Sequence, residues 1–363
     1  MQKFNYARAS KNDVLGLAPD VAQEAAHKRF DSVKLSIVII CWNDLKVIAD
    51  CLSSIVEKTH STDFEIIVSD NGSTDGSLEF VRKNYPQVQV IENGANLGFA
   101  RGNNVGIRAS KGEYVLILNP DTYVHEGTLD SWIEFADRHP NAGAFGCRVL
   151  NPDGSYQQSA RPFPTVRGQL IAALYLRSLG YISDFFASDT YVGWKGESER
   201  DIDWQSGCCV MVRGALLKQL GGFDERFFYH YEEVDLCRRV WNAGYTIAYT
   251  PQVSITHLGG QSVNRFPVRF ELERCRNRYR YFYKYYGKRG VQHCRRNILV
   301  GLRVRQLGYG LKQLLAGSEA LSGRLAMYRT CYAWNKQIDP VRFVEAGAEP
   351  PVGQELVPNP RPI

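Results

Sequence analysis

The chain has 363 residues, 44% of them hydrophobic and 23% charged, which is typical of a globular protein with a substantial core. Its net charge of +6 is uneven, because residues 258–332 carry 16 Lys and Arg against three Asp and Glu, whereas residues 1–257 are acidic overall. The nine cysteines lack CxxC spacing, which excludes a disulfide framework and favours a reducing compartment. The N-terminus is polar and no apolar run approaches the ~18 residues that span a bilayer, so we predict a cytoplasmic chain that does not cross a membrane.

Residues 1–34 form a polar N-terminal extension with helical character near 21–30. Short apolar runs then alternate with helical patterns, which predicts an α/β fold with a mostly parallel, doubly wound sheet. Leu35–Cys41 is apolar almost throughout, as in strands that are buried on both faces. Ligands of such sheets bind at the carboxyl ends of the strands, so the residues after each strand are candidates. The predicted strands are 35–41, 64–69, 88–91, 114–118, 207–212 and 245–250, and the predicted helices begin near 45, 75, 98 and 232.

The expected domain organisation follows from this pattern. Residues 35–260 form the α/β domain, and 157–203 read as an insertion on its substrate side. Residues 261–363 form a basic helical C-terminal region.

Polar residues follow the first two predicted strands. Trp42 and Asn43 offer a flat ring and an amide against which a nucleotide base can lie. Asp70 ends the second strand, where it can accept hydrogen bonds from a base N–H or a ribose hydroxyl, and Asn71 comes next. A capped strand–helix turn uses the same residue types, so that alternative stays open.

The motif N-L-G-F-A-R-G-N-N, residues 96–104, opens another predicted helix. Gly98 lets the backbone approach a ligand, the helix N-terminus favours an anion, and Arg101 can reach a diphosphate. Asn96 and Asn104 flank these residues. A surface helix with an exposed arginine is the alternative.

Two residues suggest a metal site. Asp121 follows the buried strand 114–118 in the motif N-P-D-T, and Mg²⁺ takes one or two protein carboxylates and fills its shell with phosphate and water. His257 ends a later strand, where a neutral imidazole can be a ligand. A turn residue and a structural histidine are the alternatives.

An acidic cluster opens the predicted helix at 232. Glu232, Glu233 and Asp235 follow several aromatic residues, which reduce solvation and raise a carboxyl pKa toward the range of a general base. The alternatives are that the acids stabilise the helix dipole and that Asp235 pairs with Arg239.

In order and spacing, these blocks resemble glycosyltransferase family 2, the inverting enzymes with the GT-A fold. The likeness runs from 35 to 260 through V-I-I-C-W-N, S-D-N-G-S-T-D-G-S, N-L-G-F-A-R-G-N-N, L-N-P-D-T, W-Q-S-G-C-C-V-M-V-R and F-F-Y-H-Y-E-E-V-D-L-C-R-R. The resemblance implies that Asp70 binds base and ribose, and that Asp121 is the last Asp of the D-x-D metal motif. Asn119 stands where the first Asp of that motif is often found.

The same resemblance implies the catalytic roles. Glu233 matches the catalytic base, with Glu232 as the alternative, and His257 matches a metal ligand. Trp204, Gly207 and Asp235 belong to blocks on the sugar side of the site.

The implied reaction is a single displacement assisted by Mg²⁺ or Mn²⁺. The closest branch is that of bacterial rhamnosyltransferases, which implies dTDP-L-rhamnose as donor and a saccharide or polyprenyl-linked acceptor in cell-surface polysaccharide synthesis. UDP-dependent galactofuranosyl- or hexosyltransferases stay open, as does a non-catalytic nucleotide-sugar binder.

The basic C-terminal region raises the question of further partners. Aromatic residues alternate with basic ones at 276–284, as in surfaces that stack bases, but no nucleic-acid module surrounds them and we predict no nucleic-acid partner. Residues 298–315 carry an apolar stripe beside basic residues, which predicts a helix on an anionic membrane at the inner face of the cytoplasmic membrane. Packing on the catalytic domain or on a second subunit of a homo-oligomer is the alternative. The stripe consists of Val300, Val304, Leu307, Leu311, Leu314 and Leu315.

Overall fold

The computed structural model describes residues 33–187, 190–259 and 266–347. The predicted helix near 21–30 and the predicted domain boundary at 260 lie outside these ranges, so the domain division stays a prediction. The described strands are β1 Leu35–Cys41, β2 Phe64–Asp70, β3 Gln89–Glu92, β4 Tyr114–Leu118, β5 Thr122–Val124, β6 Ala142–Leu150, β7 Ala160–Arg161, β8 Arg200–Asp201, β9 Trp204–Gln205, β10 Cys209–Arg213 and β11 Thr246–His257.

Helices cover both faces of the sheet and form the C-terminal region. The described α-helices are α1 Leu45–Lys58, α2 Ser77–Asn84, α3 Gly98–Ala109, α4 Thr128–Asp137, α5 Val166–Ala173, α6 Gly214–Gln219, α7 Glu232–Asn242, α8 Pro267–Ala316, α9 Glu319–Gln337 and α10 Pro340–Glu345. Helix α8 is interrupted at Gly287, whose φ of 65° breaks the helical geometry.

The central sheet has the strand order β3-β2-β1-β4-β10-β6-β11-β5, with β8 added on β11. Strands β1 to β4 are parallel, and so are β6 and β11, which confirms the predicted α/β class. Strand β10 runs antiparallel between β4 and β6, a reversal that the apolar pattern of the sequence does not encode. All residues of β1 and β4 are buried, as their continuous apolar runs predict.

The register of the strands brings the candidate residues to one edge of the sheet. Cys41 pairs with Asp70, so the segments that follow β1 and β2 begin side by side. His257 at the end of β11 pairs with Thr122 of β5. This antiparallel pairing places the histidine beside Asp121, 136 positions earlier in the chain, and no local pattern could have indicated it.

The predicted insertion at 157–203 packs on the C-terminal region. Helix α5 lies against α8, where the Asn297 side chain donates to the Val166 carbonyl at 2.8 Å. Gly301 permits the approach, since a Cβ there would lie 3.1 Å from the Ala173 Cβ. Helix α5 of the insertion is therefore packed directly against α8.

The stretch 276–284 contributes to a core cluster. Tyr279, Tyr281 and Phe282 are completely buried in it. These rings are therefore not available for stacking on nucleic-acid bases.

The predicted helix at 298–315 is helical throughout, as part of α8. Its N-terminal half is covered, whereas Leu307, Leu311, Leu314 and Leu315 are exposed. Among the described residues, no helix is both long and apolar enough to cross a membrane.

Candidate active site

Two pockets lie on either side of the turn that precedes α7. The first, the donor pocket, is lined by seven of the residues predicted to bind nucleotide sugar or metal, together with Phe228, Tyr229 and Phe270. The sheet edge thus collects side chains from five separate segments of the sequence. The seven predicted residues are Trp42, Asn71, Asn96, Gly98, Asn119, Asp121 and His257.

The metal candidates are in contact within the donor pocket. The Asp121 Oδ1 atom lies 3.2 Å from His257 Nε2, and the backbone N–H of Gly259 donates to Asp121 Oδ2 at 3.1 Å. The Asn119 amide nitrogen lies 3.4 Å from the same imidazole nitrogen. Gln157 Oε1 lies 2.7 Å from His257 Nδ1 and orients the ring so that Nε2 faces the carboxylate.

Electrostatics favour a positive charge at this point. Burial lowers the pKa of His257, but the neighbouring Cys208 thiol and the Asp121 carboxylate outweigh burial and raise that pKa to about 10. The His257 imidazole is therefore protonated at neutral pH and forms an ion pair with Asp121, and both side chains can act as metal ligands. The carboxylate and the imidazole lie 3.2 Å apart and both are groups that bind divalent cations, so these residues would fit a divalent metal.

The described residues contain no group of three or more His, Cys, Asp or Glu side chains that could hold a metal. A metal at Asp121 and His257 would thus have most of its coordination positions left for oxygen atoms of a diphosphate and water. Mg²⁺ is bound in this way in many phosphate-processing sites.

Asp70 directly precedes Asn71 of the donor pocket and is almost fully buried, but it is not itself among the residues that line this pocket. Its Oδ2 atom accepts hydrogen bonds from the backbone N–H groups of Gly72 and Ser73, both at 3.0 Å. Its Oδ1 atom is buried without a hydrogen-bond partner among the described residues. A buried carboxylate oxygen without a partner is costly, and a donor from a nucleotide would satisfy it. Asn43 stands close by, and its side-chain oxygen accepts from the Thr74 N–H at 2.7 Å.

The N-terminus of α3 is largely used by the protein itself. The Gly98 N–H donates to Asn96 Oδ1 at 2.9 Å, and the Phe99 N–H donates to the Phe228 carbonyl at 2.7 Å. Gly98 has a φ of 82°, and a Cβ there would lie 2.5 Å from the Phe228 ring, so only glycine fits.

Two α3 residues that are predicted to contact the nucleotide instead contact the loop before α7. Arg101 Nε lies 3.7 Å from Glu225 Oε2, and Asn104 ties α3 to the loop before α7 by exchanging hydrogen bonds with the Phe223 backbone. Neither residue lines the donor pocket. Their predicted contact with a diphosphate stays a prediction.

The turn before α7 is strained. His230 and Tyr231 have φ of 69° and 75°, a left-handed conformation that is rare for bulky side chains and costs about 1–3 kcal/mol per residue. Helix α8 holds the turn: Asn277 donates to the Tyr229 carbonyl at 2.8 Å, and Arg278 donates to the Tyr231 hydroxyl at 3.2 Å. Such strain is typical of sites where a side chain must be presented at a fixed position.

The strained turn presents the two glutamates at the start of α7. Glu233 lines the second pocket, whereas Glu232 lines neither pocket. Burial raises the pKa of Glu233 to about 7. Burial and then the charge of Glu233 raise the pKa of Glu232 above its usual range. Each carboxyl has one buried oxygen without a partner among the described residues.

The predicted sugar-side residues are distributed differently. Trp204 lines the second pocket and donates from Nε1 to the Pro162 carbonyl at 2.8 Å. Gly207 lies beneath Glu233, where a Cβ would lie 3.4 Å from the glutamate Cβ. Asp235 is completely buried and its carboxylate contacts Arg239 at 2.8 Å and Lys284 at 2.6 Å, so the structure does not bring it into either pocket.

The chain is similar in sequence to known proteins of one family. The model of glycosyl transferase family 2 matches residues 36–193. The N-acetylglucosaminyl-diphospho-decaprenol L-rhamnosyltransferase of Mycobacterium tuberculosis is 35% identical over 221 residues, which cover 56% of this chain and 69% of the relative. This chain belongs to glycosyltransferase family 2.

Two further proteins are similar to the glycosyltransferase at lower sequence identity. Rhamnosyltransferase WbbL of Escherichia coli is 26% identical over 57% of this chain and 78% of the relative. The solved mannosyltransferase PcManGT from Pyrobaculum calidifontis, in complex with GDP-Man and Mn²⁺, is 16% identical with a TM-score of 0.49, over 91% of this chain and 92% of that one. The family and the sheet described above identify the fold of the glycosyltransferase as GT-A.

Several residues of the glycosyltransferase site escaped the sequence analysis. Gln157 gave no signal, because a single glutamine in a loop has no recognisable pattern. Phe270 and the arginines of the second pocket lie on or opposite α8, far along the chain from the catalytic motifs. The positive charge after residue 258 is the sequence feature that indicated a basic surface, but it does not predict which arginines face Glu233.

Proposed function

We propose that this glycosyltransferase transfers L-rhamnose with inversion from dTDP-L-rhamnose to a hydroxyl of a lipid-linked saccharide, in the synthesis of a bacterial surface polysaccharide. The observation that carries the proposal is the placement of Glu233 in a pocket directly across the turn from the Asp121–His257 pair. The names of the two bacterial relatives support rhamnose and, for one of them, a diphosphate-linked lipid acceptor.

In the proposed reaction, the donor pocket binds the nucleotide sugar. Trp42 lies where a base can stack, and Asp70 Oδ1 accepts a hydrogen bond from the base or the ribose. Asp121 and His257 would hold Mg²⁺ or Mn²⁺, which supplies positive charge for the departing nucleoside diphosphate. Gln157 fixes the histidine ring for this purpose.

Glu233 acts as the general base. Its carboxylate removes the proton of the acceptor hydroxyl as that oxygen attacks the anomeric carbon from the face opposite the diphosphate. The leaving group is a diphosphate rather than an alcohol, so no general acid is needed and one carboxylate suffices. With a pKa of about 7, Glu233 is substantially ionised at neutral pH and still basic enough to accept the proton.

We also propose that the exposed end of α8 rests on an anionic membrane surface at the inner face of the cytoplasmic membrane. Leu307, Leu311, Leu314 and Leu315 are 59–85% exposed, and Lys312 lies among them. Basic residues beside an apolar helix face are typical of helices that lie in a bilayer interface. A lipid-linked acceptor would give this contact a purpose.

The membrane proposal is tested by co-sedimentation with liposomes. Binding should require anionic lipid, and Leu311→Asp with Leu314→Asp should abolish it while transfer to a water-soluble acceptor is retained. Binding that survives this double substitution would contradict the proposal.

The donor is tested by supplying the purified protein with Mn²⁺, a lipid-diphosphate-linked N-acetylglucosamine acceptor and a panel of dTDP- and UDP-sugars. Transfer from dTDP-L-rhamnose above the other donors is expected. Preferred transfer from a UDP-hexose or UDP-galactofuranose would move the enzyme to another branch of the family. Nucleotide binding without transfer or hydrolysis of any donor would favour a non-catalytic binder.

A further inference from the structure

The pocket that contains Glu233 has a volume of about 370 Å³ and lies between the insertion, the strained turn and α8. Its lining is strongly basic: five arginines face it, against the two carboxylates of Glu233 and Glu271. We call it the arginine pocket. The five arginines are Arg161, Arg177, Arg274, Arg278 and Arg305.

The ion pairs of Arg274, Arg278 and Arg305 differ from one another. Arg274 forms an ion pair with Glu271. Among the residues that the structure describes, Arg278 and Arg305 have no carboxylate within ion-pair distance. Arg278 donates to the Tyr231 hydroxyl, and the Arg305 guanidinium lies 5.4 Å from the centre of the Tyr175 ring.

Burial and the positive charge of the pocket lower the pKa of His230, the histidine among its lining residues. Burial and then the charges of Arg274 and Arg278 hold the pKa of His230 down to about 3. The imidazole is therefore neutral at physiological pH. Clustering guanidinium groups in a partly desolvated pocket is unfavourable unless an anion enters it.

We propose that the arginine pocket binds the diphosphate of a lipid-linked acceptor and so places the acceptor sugar beside Glu233, an inference that rests on the proposed function. Guanidinium groups bind phosphate oxygens in pairs with matched geometry, which gives orientation as well as affinity. The donor diphosphate has its own place at Asp121 and His257 across the turn. Two diphosphates can thus be bound at once, one on each side of the strained turn.

The rim of the pocket indicates that the diphosphate carries a lipid. The lining residue Ala173 is followed directly by Leu174 and Tyr175, which are 39% and 60% exposed, and the Tyr175 ring centre lies 5.4 Å from the guanidinium of the lining residue Arg305. Exposed apolar groups next to a basic pocket suit a ligand with a charged head and an apolar tail. A free sugar phosphate would leave them in water.

Calorimetry of the full chain with citronellyl diphosphate tests the proposal. Nucleotide is left out and EDTA is present, so that the donor pocket does not bind the probe through a metal. Inorganic pyrophosphate and citronellol serve as probes that lack the tail and the charge, respectively. Citronellyl diphosphate should bind more tightly than pyrophosphate, and citronellol should not bind.

The variants Arg177→Gln, Arg278→Gln and Arg305→Gln should each weaken binding of citronellyl diphosphate at least tenfold. Arg296→Gln is the matched control, because Arg296 lies exposed on the same helix outside the pocket and should leave the affinity unchanged. Arg177 is itself exposed, so its substitution is not expected to perturb folding.

Three results would overturn the proposal. One is unchanged affinity in all three pocket variants, and another is an equal loss of dTDP affinity measured with Mn²⁺, which would assign the arginines to the donor. Equal affinity for pyrophosphate and citronellyl diphosphate would contradict the proposal that the bound diphosphate carries a lipid. Because no turnover is measured, a wrong donor or an inactive enzyme would not affect these results and would show only in the transfer assay.

Discussion

The donor pocket and the arginine pocket are built in different ways. The donor pocket contains residues that directly follow three parallel strands, such as Trp42, Asn71 and Asn119, because strands that end at one edge bring short sequence motifs together. The arginine pocket is made from the insertion, the strained turn and one face of α8, whose members are up to 147 positions apart along the chain. Motif-based reasoning therefore finds most of the first pocket, but of the second it finds only Glu233 and Trp204 and none of the arginines.

The largest effect is expected at Glu233, the proposed general base, which lines the arginine pocket. Glu233→Gln keeps the shape and removes the basicity, so kcat should fall by about 10²–10⁴ with donor affinity nearly unchanged. Glu232→Gln is the matched control, since Glu232 lines neither pocket and its loss should be small. Steady-state kinetics decide, and an inactive Glu232→Gln beside an active Glu233→Gln would move the base by one residue.

The pH dependence of the same variant sharpens the comparison. The pKa of Glu233 is raised to about 7, so kcat/KM of the wild type should rise with pH up to about 7 and then level off. Between pH 4.5 and 7 the unfolded chain loses this proton and the folded chain retains it, so the free energy of unfolding falls as pH rises through that window. The loss has an upper bound of about 3 kcal/mol from the pKa difference.

Glu233→Gln removes that loss. Urea unfolding should show the variant gaining stability over the wild type as pH rises from 5 to 7.5. A stability difference that is constant over this range would contradict the raised pKa.

In the donor pocket, the orientation of His257 can be tested through Gln157. Gln157→Leu removes the partner of His257 Nδ1, and loss of such a partner typically weakens metal binding by about 10–100-fold. Electron paramagnetic resonance of Mn²⁺ with saturating dTDP measures this affinity. Gln157→Glu restores an acceptor at the same place and should retain tight binding, and unchanged Mn²⁺ affinity in Gln157→Leu would remove the histidine from the metal site.

The smallest effect is expected at Asp70. Asp70→Asn can still accept from the Gly72 and Ser73 amides through its oxygen, but it then presents an NH₂ group where Oδ1 is proposed to accept from the nucleotide. The lost hydrogen bond should weaken dTDP binding about tenfold. Glu92→Gln makes the same change of charge on the adjacent strand end and serves as the control. Calorimetry that finds equal dTDP affinity in both variants would place Asp70 outside the nucleotide site.

The sequence by itself determined the α/β class, the parallel strands and the site candidates that follow them. It could do so because continuous apolar runs, helix periodicity and short motifs are local properties of the chain. Trp42, Asn71 and Asp121 line the donor pocket for this reason. The sequence also indicated a helix at 298–315 despite its three glycines, because the apolar spacing persists through them.

Only the tertiary structure decided the remaining features. The antiparallel pairing of β11 with β5 joins His257 to Asp121, and the packing of α5 on α8 turns a diffuse basic segment into a pocket at Glu233. It also pairs the buried carboxylate of Asp235 with both Arg239 and Lys284. The physical reason is the same in each case: the charge and hydrogen bonding of these side chains depend on partners far along the chain, and packing of distant elements alone determines which partners meet.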